Sequence, residues 1–353
     1  MRARRLERSA LTERSASLVD VARQVGGIHA QVQASAELQL AARVDGVMQA
    51  DVRSALWEQR TLVKAWTVRG TLHIHPAGEL ALWHAARRAV LGTSDQGLPE
   101  WRDPAGVVHP ALDAGEVEAA RAAVWETLDG RCLLREDLVT DVVKRVGKRP
   151  RERLRSGFAF FLGELCQGPP QGSRITLARP DQWIDGWREM TDEREALREA
   201  CRRFIHAYGP ARPADFCAWV SSSAFKAGEA RSLFDELALE EIDVEGGPRF
   251  VLAGDTSFPE PAGQVSLLPE YDVYVMGFAS VTGSCRPSCA SSSRSTAADA
   301  TRDRPESGSS SSTGSPPGSG SGANAASASS WTCSSPAASE SRAVWRSSAR
   351  PSG

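Results

Sequence analysis

Apolar positions recur along the first three quarters of the chain in two alternating rhythms. Over 17–25, Val19, Val21, Ala22 and Val25 fall on one face of a short helix that Gly26-Gly27 ends. Helices are expected again over 35–43 and from Ala50 to Gln59. The stretches 62–68 and 71–75 then alternate around Arg69-Gly70, the pattern of a hairpin. A second round follows, with helices over 115–129, 134–146 and 156–166, a turn at GPPQG and a strand at 174–178. In the third round, helices at 193–208, 213–220 and 226–237 precede a ribbon of 241–244 and 249–252, with Gly246-Gly247 suited to its tight turn.

Helices followed by a hairpin is the winged-helix order. The pattern therefore predicts an α+β fold of three tandem winged-helix units, at 1–95, 96–190 and 191–258. Within 259–278, Val265, Leu267, Val273 and Val275 are expected to begin a further β element.

Composition changes the picture at one place. Of the 353 residues, the last 75 (279–353) hold 25 Ser and two Val, with no Leu, Ile or Phe, so that segment cannot bury a core. It is expected to be a disordered low-complexity tail or the product of a shifted reading frame. The pooled net charge of −2 hides the same break. Seven Arg and four acidic residues lie in the tail, leaving 35 basic and 40 acidic residues before it, so any basic surface must be local. Of the 42 basic residues 38 are Arg, the bias of a G+C-rich genome.

Several classes lose support. No run approaches the apolar length of a membrane span, and MRARRLERSALTERS does not read as a secretory signal. Cys132, Cys166, Cys201 and Cys217 form no CxxC pair, so neither a disulfide framework nor a zinc site is suggested. No phosphate-loop, dinucleotide, zincin or esterase motif is present. A cytoplasmic, nucleoid-associated protein without cofactor or metal is expected.

Five strings in order, GGIHAQVQAS (26–35), WTVRGTLHIHP (66–76), LGELCQGPPQG (162–172), YGPARPADF (208–216) and LLPEYDVYVMGF (267–278), together resemble one family. It comprises the winged-helix DNA-binding-domain-containing proteins that include the AlkZ and YcaQ types of DNA glycosylase. The resemblance covers about 1–278 and implies tandem winged-helix units around a β-barrel. It also implies metal-free, monofunctional excision of alkylated purines, including interstrand cross-links, from double-stranded DNA by a monomer. Past the last string the family continues with β-structure that completes the barrel; here the Ser-rich tail begins instead, so the barrel is expected to be incomplete.

In the family a Gln, an aliphatic residue, and then Gln or Asp carry catalysis; Gln31-Val32-Gln33 matches the Gln form. A carboxamide is too weak a base to deprotonate water, but it donates and accepts hydrogen bonds at fixed positions. Two of them one residue apart on an extended segment would face one way and hold a water against C1′, with Val32 anchored in the core. That suffices only for a leaving group already cationic, such as a purine alkylated at N7 or N3. The structural alternative is that both amides cap the flanking helix ends or bind the next loop.

His29 shares that side if the strand is regular, as a nucleotide or phosphate contact or as a buried hydrogen-bonded histidine. Arg69 reads as a wing-tip phosphate contact. His73 and His75 alternate but lack a third ligand of suitable spacing, so no metal is expected. Lys144, Arg145, Lys148, Arg149, Arg151, Arg153 and Arg155 form the strongest basic run, with Glu152 the only acid among them. It reads as a DNA-backbone contact or as a solvated loop. Trp57, Trp66, Trp83 and Trp125 fall on apolar stripes and are expected in the core. A non-catalytic winged-helix DNA-binding protein or regulator is the rival function.

Overall fold

The computed structural model describes residues 1–277 apart from 68–69, 93–96, 104, 157–163, 221–224, 246, 261–262 and 264. These belong to one compact unit, Met1–Ser284. Arg69, much of the helix expected at 156–166 and the tail from 279 onward lie outside the described residues.

Helix α1 (Arg2–Arg8) precedes the first round and buries Arg4 in an ion pair with Asp255, 2.7 Å away. In α2 (Leu18–Gln24) the N-cap Ser17 hydroxyl accepts from the Asp20 N–H at 3.2 Å, and the apolar face packs through Val21 and Ala22. Gly27 sits at φ +104°, where an added Cβ would fall 2.3 Å from the His75 ring, so only glycine lets the chain pass into β1 (Ile28–His29). Helices α3 (Gln33–Ala41) and α4 (Gln49–Trp57) lead to the hairpin of β2 (Leu62–Trp66) and β3 (Leu72–Pro76). Val21, Val25, Ile28, Leu40, Leu56, Leu62 and Ile74 form their common core.

The chain then makes a helix absent from the expected pattern, α5 (Leu80–Leu91), and a small ribbon of β4 (Trp101–Arg102) and β5 (Val108–His109). The second round follows as α6 (Ala114–Thr127), β6 (Leu133–Leu134), α7 (Arg135–Val146), α8 (Arg151–Arg155), β7 (Cys166–Gln171), β8 (Arg174–Ala178) and α9 (Pro180–Trp183). Cys166 thus starts a strand rather than ending a helix. Its Pro169-Pro170 is tolerated because the register shifts between Gly168 and Gln171, which frees those positions from the ladder. The third round comprises α10 (Glu193–Tyr208), α11 (Pro213–Val220), α12 (Ala227–Glu236) and the ribbon of β9 (Leu239–Val244) and β10 (Gly247–Leu252). Its aromatic core of Phe204, Phe216, Trp219 and Phe234 takes in Trp83 from α5.

The ribbons of the first two rounds are not separate wings. Six strands join in the order β1-β3-β2-β7-β8-β6, and the two hairpins meet where Ala65 of β2 pairs antiparallel with Cys166 of β7. The β element expected from Val265, Leu267, Val273 and Val275 does not form. Val265 and Leu267 are each 90% exposed, while Val273 and Val275 lie in a single helical turn, α13 (Val273–Met276), capped by the Asp272 carboxylate at the Tyr274 N–H. Among the described residues the local alternation has no partner strand, and the cap decides for a turn of helix.

Candidate functional site

Strand β1 is only two residues long, and its ladder partner β3 also holds the next residue, with the Ala30 N–H donating to the Leu72 carbonyl at 2.7 Å. The chain then bends into α3 with Val32 as N-cap and Gln33 as the first helical residue. The Gln-Val-Gln segment is therefore a strand-to-helix junction rather than an extended stretch. Val32, expected in the core, is 46% exposed, because the bend turns the middle residue outward.

Both carboxamides nevertheless lean on the same hairpin. The Leu72 N–H of β3 donates to Gln31 Oε1 at 3.5 Å, while Lys64 Nζ of β2 donates to Gln33 Oε1 at 2.9 Å. Gln31 is exposed and Gln33 half-buried. Gln33 Nε2 in turn donates to Glu37 Oε1, one helical turn on, at 3.3 Å. Glu37 is buried and accepts from Gln49 Nε2 at 2.6 Å and Arg53 Nε at 2.8 Å, both on α4. Burial pushes the Lys64 ammonium down to about 8, with the Glu37 carboxylate pulling the other way.

Neither Glu37 nor Lys64 was singled out from the sequence. The signals were present: Glu37 follows Gln33 at helical spacing, and Lys64 is a charged residue between Val63 and Ala65 in a strand otherwise fit for burial.

A second polar network braces the other end of α3. Arg43 and Asp272, both wholly buried, form a bidentate pair at 2.8 and 2.7 Å. Gln39 donates to the His29 carbonyl at 2.9 Å and accepts from the Val273 N–H at 3.2 Å. Ser35 donates to the Glu270 carbonyl. These bonds carry the 270–273 segment onto the helix that begins with Gln33, and place Tyr271 at its start. Tyr271 has φ +61°, a strained value for a tyrosine, is 45% exposed, and its ring lies 5.8 Å from that of His29. It lies beside the candidate site and was not among the residues singled out from the sequence.

His29 itself is buried, in edge contact with the His73 ring at 5.4 Å. Of the two readings of His29, a nucleotide or phosphate contact and a buried histidine, its burial matches the second, and Tyr271 stands half-exposed against it. His75 is spoken for as well, stacked on Trp83 at 4.6 Å with Thr67 Oγ1 2.9 Å from its Nε2. Burial, with His73, His84 and Arg203 nearby, holds its pKa well below the usual value, so it stays neutral. Trp83 is deep in the core as expected, while Trp57, Trp66 and Trp125 are partly buried against it or neighbouring clusters. Among the described residues no group of three His, Cys, Asp or Glu is placed to hold a metal.

The basic run lies elsewhere. Lys144 and Arg145 end α7, Lys148 and Arg149 fill the connection, and Arg151, Arg153 and Arg155 are on α8. Since α3 follows strand β1 and α7 follows β6, the two candidate regions leave the sheet from opposite edges. Nor is the run bare: Lys144 pairs with Asp141 at 2.9 Å, Arg145 with Glu126 at 3.0 Å and Arg155 with Glu152 at 3.4 Å. Arg149 meets Glu116 at 2.5 Å, and Arg153 lies 5.0 Å over the Trp101 ring while donating to the Pro99 carbonyl. Glu126 and Glu116, distant in sequence, pair with Arg145 and Arg149, while Asp141 and Glu152 are helical neighbours of Lys144 and Arg155.

Comparison with known proteins agrees over the same span. Residues 22–284 match the family described as "DNA glycosylase AlkZ-like". The chain is 32% identical over 288 residues to the "Interstrand DNA cross-link repair glycosylase" of Streptomyces sahachiroi, covering 77% of this chain and 75% of that protein. The solved structure of Streptomyces sahachiroi DNA glycosylase AlkZ superposes with a TM-score of 0.66 at 29% identity, over 78% of this chain and 76% of that one. With a glutamine pair at a strand-to-helix junction and the family pattern spanning most of its length, the chain belongs to the AlkZ-like DNA glycosylases.

Proposed function

We propose that this DNA glycosylase releases purines made cationic by alkylation at N7 or N3, including those in interstrand cross-links, and that Gln31 and Gln33 hold the water that attacks C1′. The observation that carries this is the pair of carboxamides on one hairpin, Gln31 exposed and Gln33 fixed by Lys64 and Glu37. In the reaction the water oxygen bonds to C1′ and the C1′–N9 electron pair neutralises the departing purinium. The proton of the attacking water passes to solvent. No strong base is required, because the leaving group departs neutral; the glutamines contribute position and dipoles facing the developing oxocarbenium charge. The half-exposed Tyr271 ring offers a π-face to a cationic base.

In this reading the three helix-and-ribbon rounds act as winged-helix units on double-stranded DNA. Lys144, Arg145, Lys148, Arg149, Arg151, Arg153 and Arg155 would exchange their present surroundings for phosphate, and Arg69 would contact it as well. Among the described residues no helix is long and apolar enough to cross a membrane. A monomer acting in the cytoplasm suits such a substrate.

The test is release of 7-methylguanine and of a cross-linked purine from duplex DNA. Gln31→Ala/Gln33→Ala should reduce single-turnover release by about 10²-fold or more and leave duplex binding within a factor of about two. Full release by that double variant would place the chemistry on other residues and end the role given to Gln31 and Gln33.

A further inference from the structure

A carboxamide is nearly symmetric in shape but opposite in polarity at its two ends, so a site that relies on one must also decide which end faces the reactant. Around Gln33 that decision is built from two groups with no ambiguity of their own. A lysine ammonium only donates and a carboxylate only accepts. Lys64 Nζ stands 2.9 Å from Gln33 Oε1, and Glu37 Oε1 stands 3.3 Å from Gln33 Nε2. Turning the amide over would set Nε2 against the ammonium and Oε1 against the carboxylate, two repulsive contacts in place of two bonds. We infer that Lys64 and Glu37 are positioning residues that lock the polarity of the Gln33 carboxamide toward the scissile sugar, an inference that rests on Gln33 belonging to the glycosylase site.

Both locking groups are themselves held. Lys64 is buried in the middle of β2, opposite Ile74 of β3, with Glu37 of α3 as the charged group acting on it and Arg53 of α4 donating to the same Glu37 oxygen that accepts from Gln33. Glu37 is fixed by Gln49 and Arg53. The lock leaves Gln33 one lone pair on Oε1 and one proton on Nε2 for the reactants. A water donating to Oε1 keeps its own lone pair free for C1′. Because the Lys64 amine is covered by protein and directed at Gln33, it acts through the amide and not on the sugar.

The full chain is assayed for single-turnover release of 7-methylguanine from duplex DNA between pH 6 and 10, alongside Gln33→Ala, Glu37→Gln, Lys64→Met and Lys64→Arg. A misdirected amide should lower the release rate by about 10²-fold in Lys64→Met and Glu37→Gln, with substrate affinity unchanged. The wild-type rate should fall above about 8, where the neutral amine can accept as well as donate and the lock loosens. Lys64→Arg, charged throughout, should restore the rate and remove that fall. If Gln33→Ala is inactive while Lys64→Met and Glu37→Gln keep the wild-type rate and pH profile, the lock is overturned and the role of Gln33 stands.

A second measurement decides the lock without catalysis, and so without Gln33 being catalytic. The side-chain amide signals of Gln33, assigned by their loss in Gln33→Ala, should shift with pH around 8 in the wild type and not in Lys64→Met. Signals indifferent both to pH and to Lys64→Met reject the inference, whatever the excision assay shows.

Discussion

Around α3 and the β2–β3 hairpin, Lys64, Glu37, Arg43 and Asp272 are taken out of water and each is hydrogen-bonded to a specific partner. At the β6 edge, Lys144, Arg145, Arg149 and Arg155 remain in solvent and pair with acids that solvent also reaches. The same residue types serve opposite ends. Charge buried in a low-dielectric surrounding is expensive to leave unpaired, so it orients its neighbours. Charge in a solvated pair is worth at most about 1 kcal/mol, so it can trade a carboxylate for a phosphate at little loss. One region is suited to holding a water and a sugar in register, the other to gripping a backbone that varies in sequence.

The largest test of that difference is at Arg43. Arg43→Met leaves the Asp272 carboxylate buried without its partner and should lower unfolding free energy by about 3–5 kcal/mol in denaturant titrations. A loss below about 1 kcal/mol would place this pair with the surface ones and erase the contrast.

Next is Lys64, whose burial holds it at about 8 against an ordinary 10.5. Below about pH 8 folded and unfolded chains both carry the proton, and the burial penalty is present in full. Between 8 and 10.5 the unfolded chain binds more protons than the folded one. The stability of wild type relative to Lys64→Met should therefore rise with pH across that window, by about 3 kcal/mol in total. Urea unfolding of both proteins at pH 7, 9 and 10.5 measures it, and parallel pH dependences would show that Lys64 is as solvated as Lys144.

The smallest effect on stability belongs to the basic run. Arg145→Ala and Arg149→Ala should each change unfolding free energy by less than about 1 kcal/mol. Each should nonetheless lower the slope of log affinity for duplex DNA against log salt by about one per lost phosphate contact. An unchanged slope would make the run a solvated face after all.

Much of the helical order was legible because its signals are local. Ser17 before α2, the glycines after it, and the stripe of Val21, Ala22 and Val25 lie within a dozen residues of one another. The β2–β3 hairpin was legible for the same reason. Helix α5 was not, because Leu80, Trp83, His84, Ala85, Ala86, Arg87 and Val90 are all buried, which leaves no clean polar face to mark a period. At 265–275 the alternation was real, yet strand formation needs a partner strand, and among the described residues none is offered.

The candidate site divides in the same way. The sequence by itself determined the family and brought Gln31 and Gln33 forward as a pair, since a motif two residues apart is read within one short string. Only the tertiary structure decided that Val32 faces outward, that two hairpins form one sheet, and that Arg145 and Arg149 of the basic run meet Glu126 and Glu116. It also supplied what surrounds the glutamines. Lys64 is 31 residues from Gln33, and Asp272 is 229 residues from Arg43. Periodicity and capping act over a turn or a strand, whereas the polarity of a buried site is set by whichever distant groups the packing brings within hydrogen-bond reach.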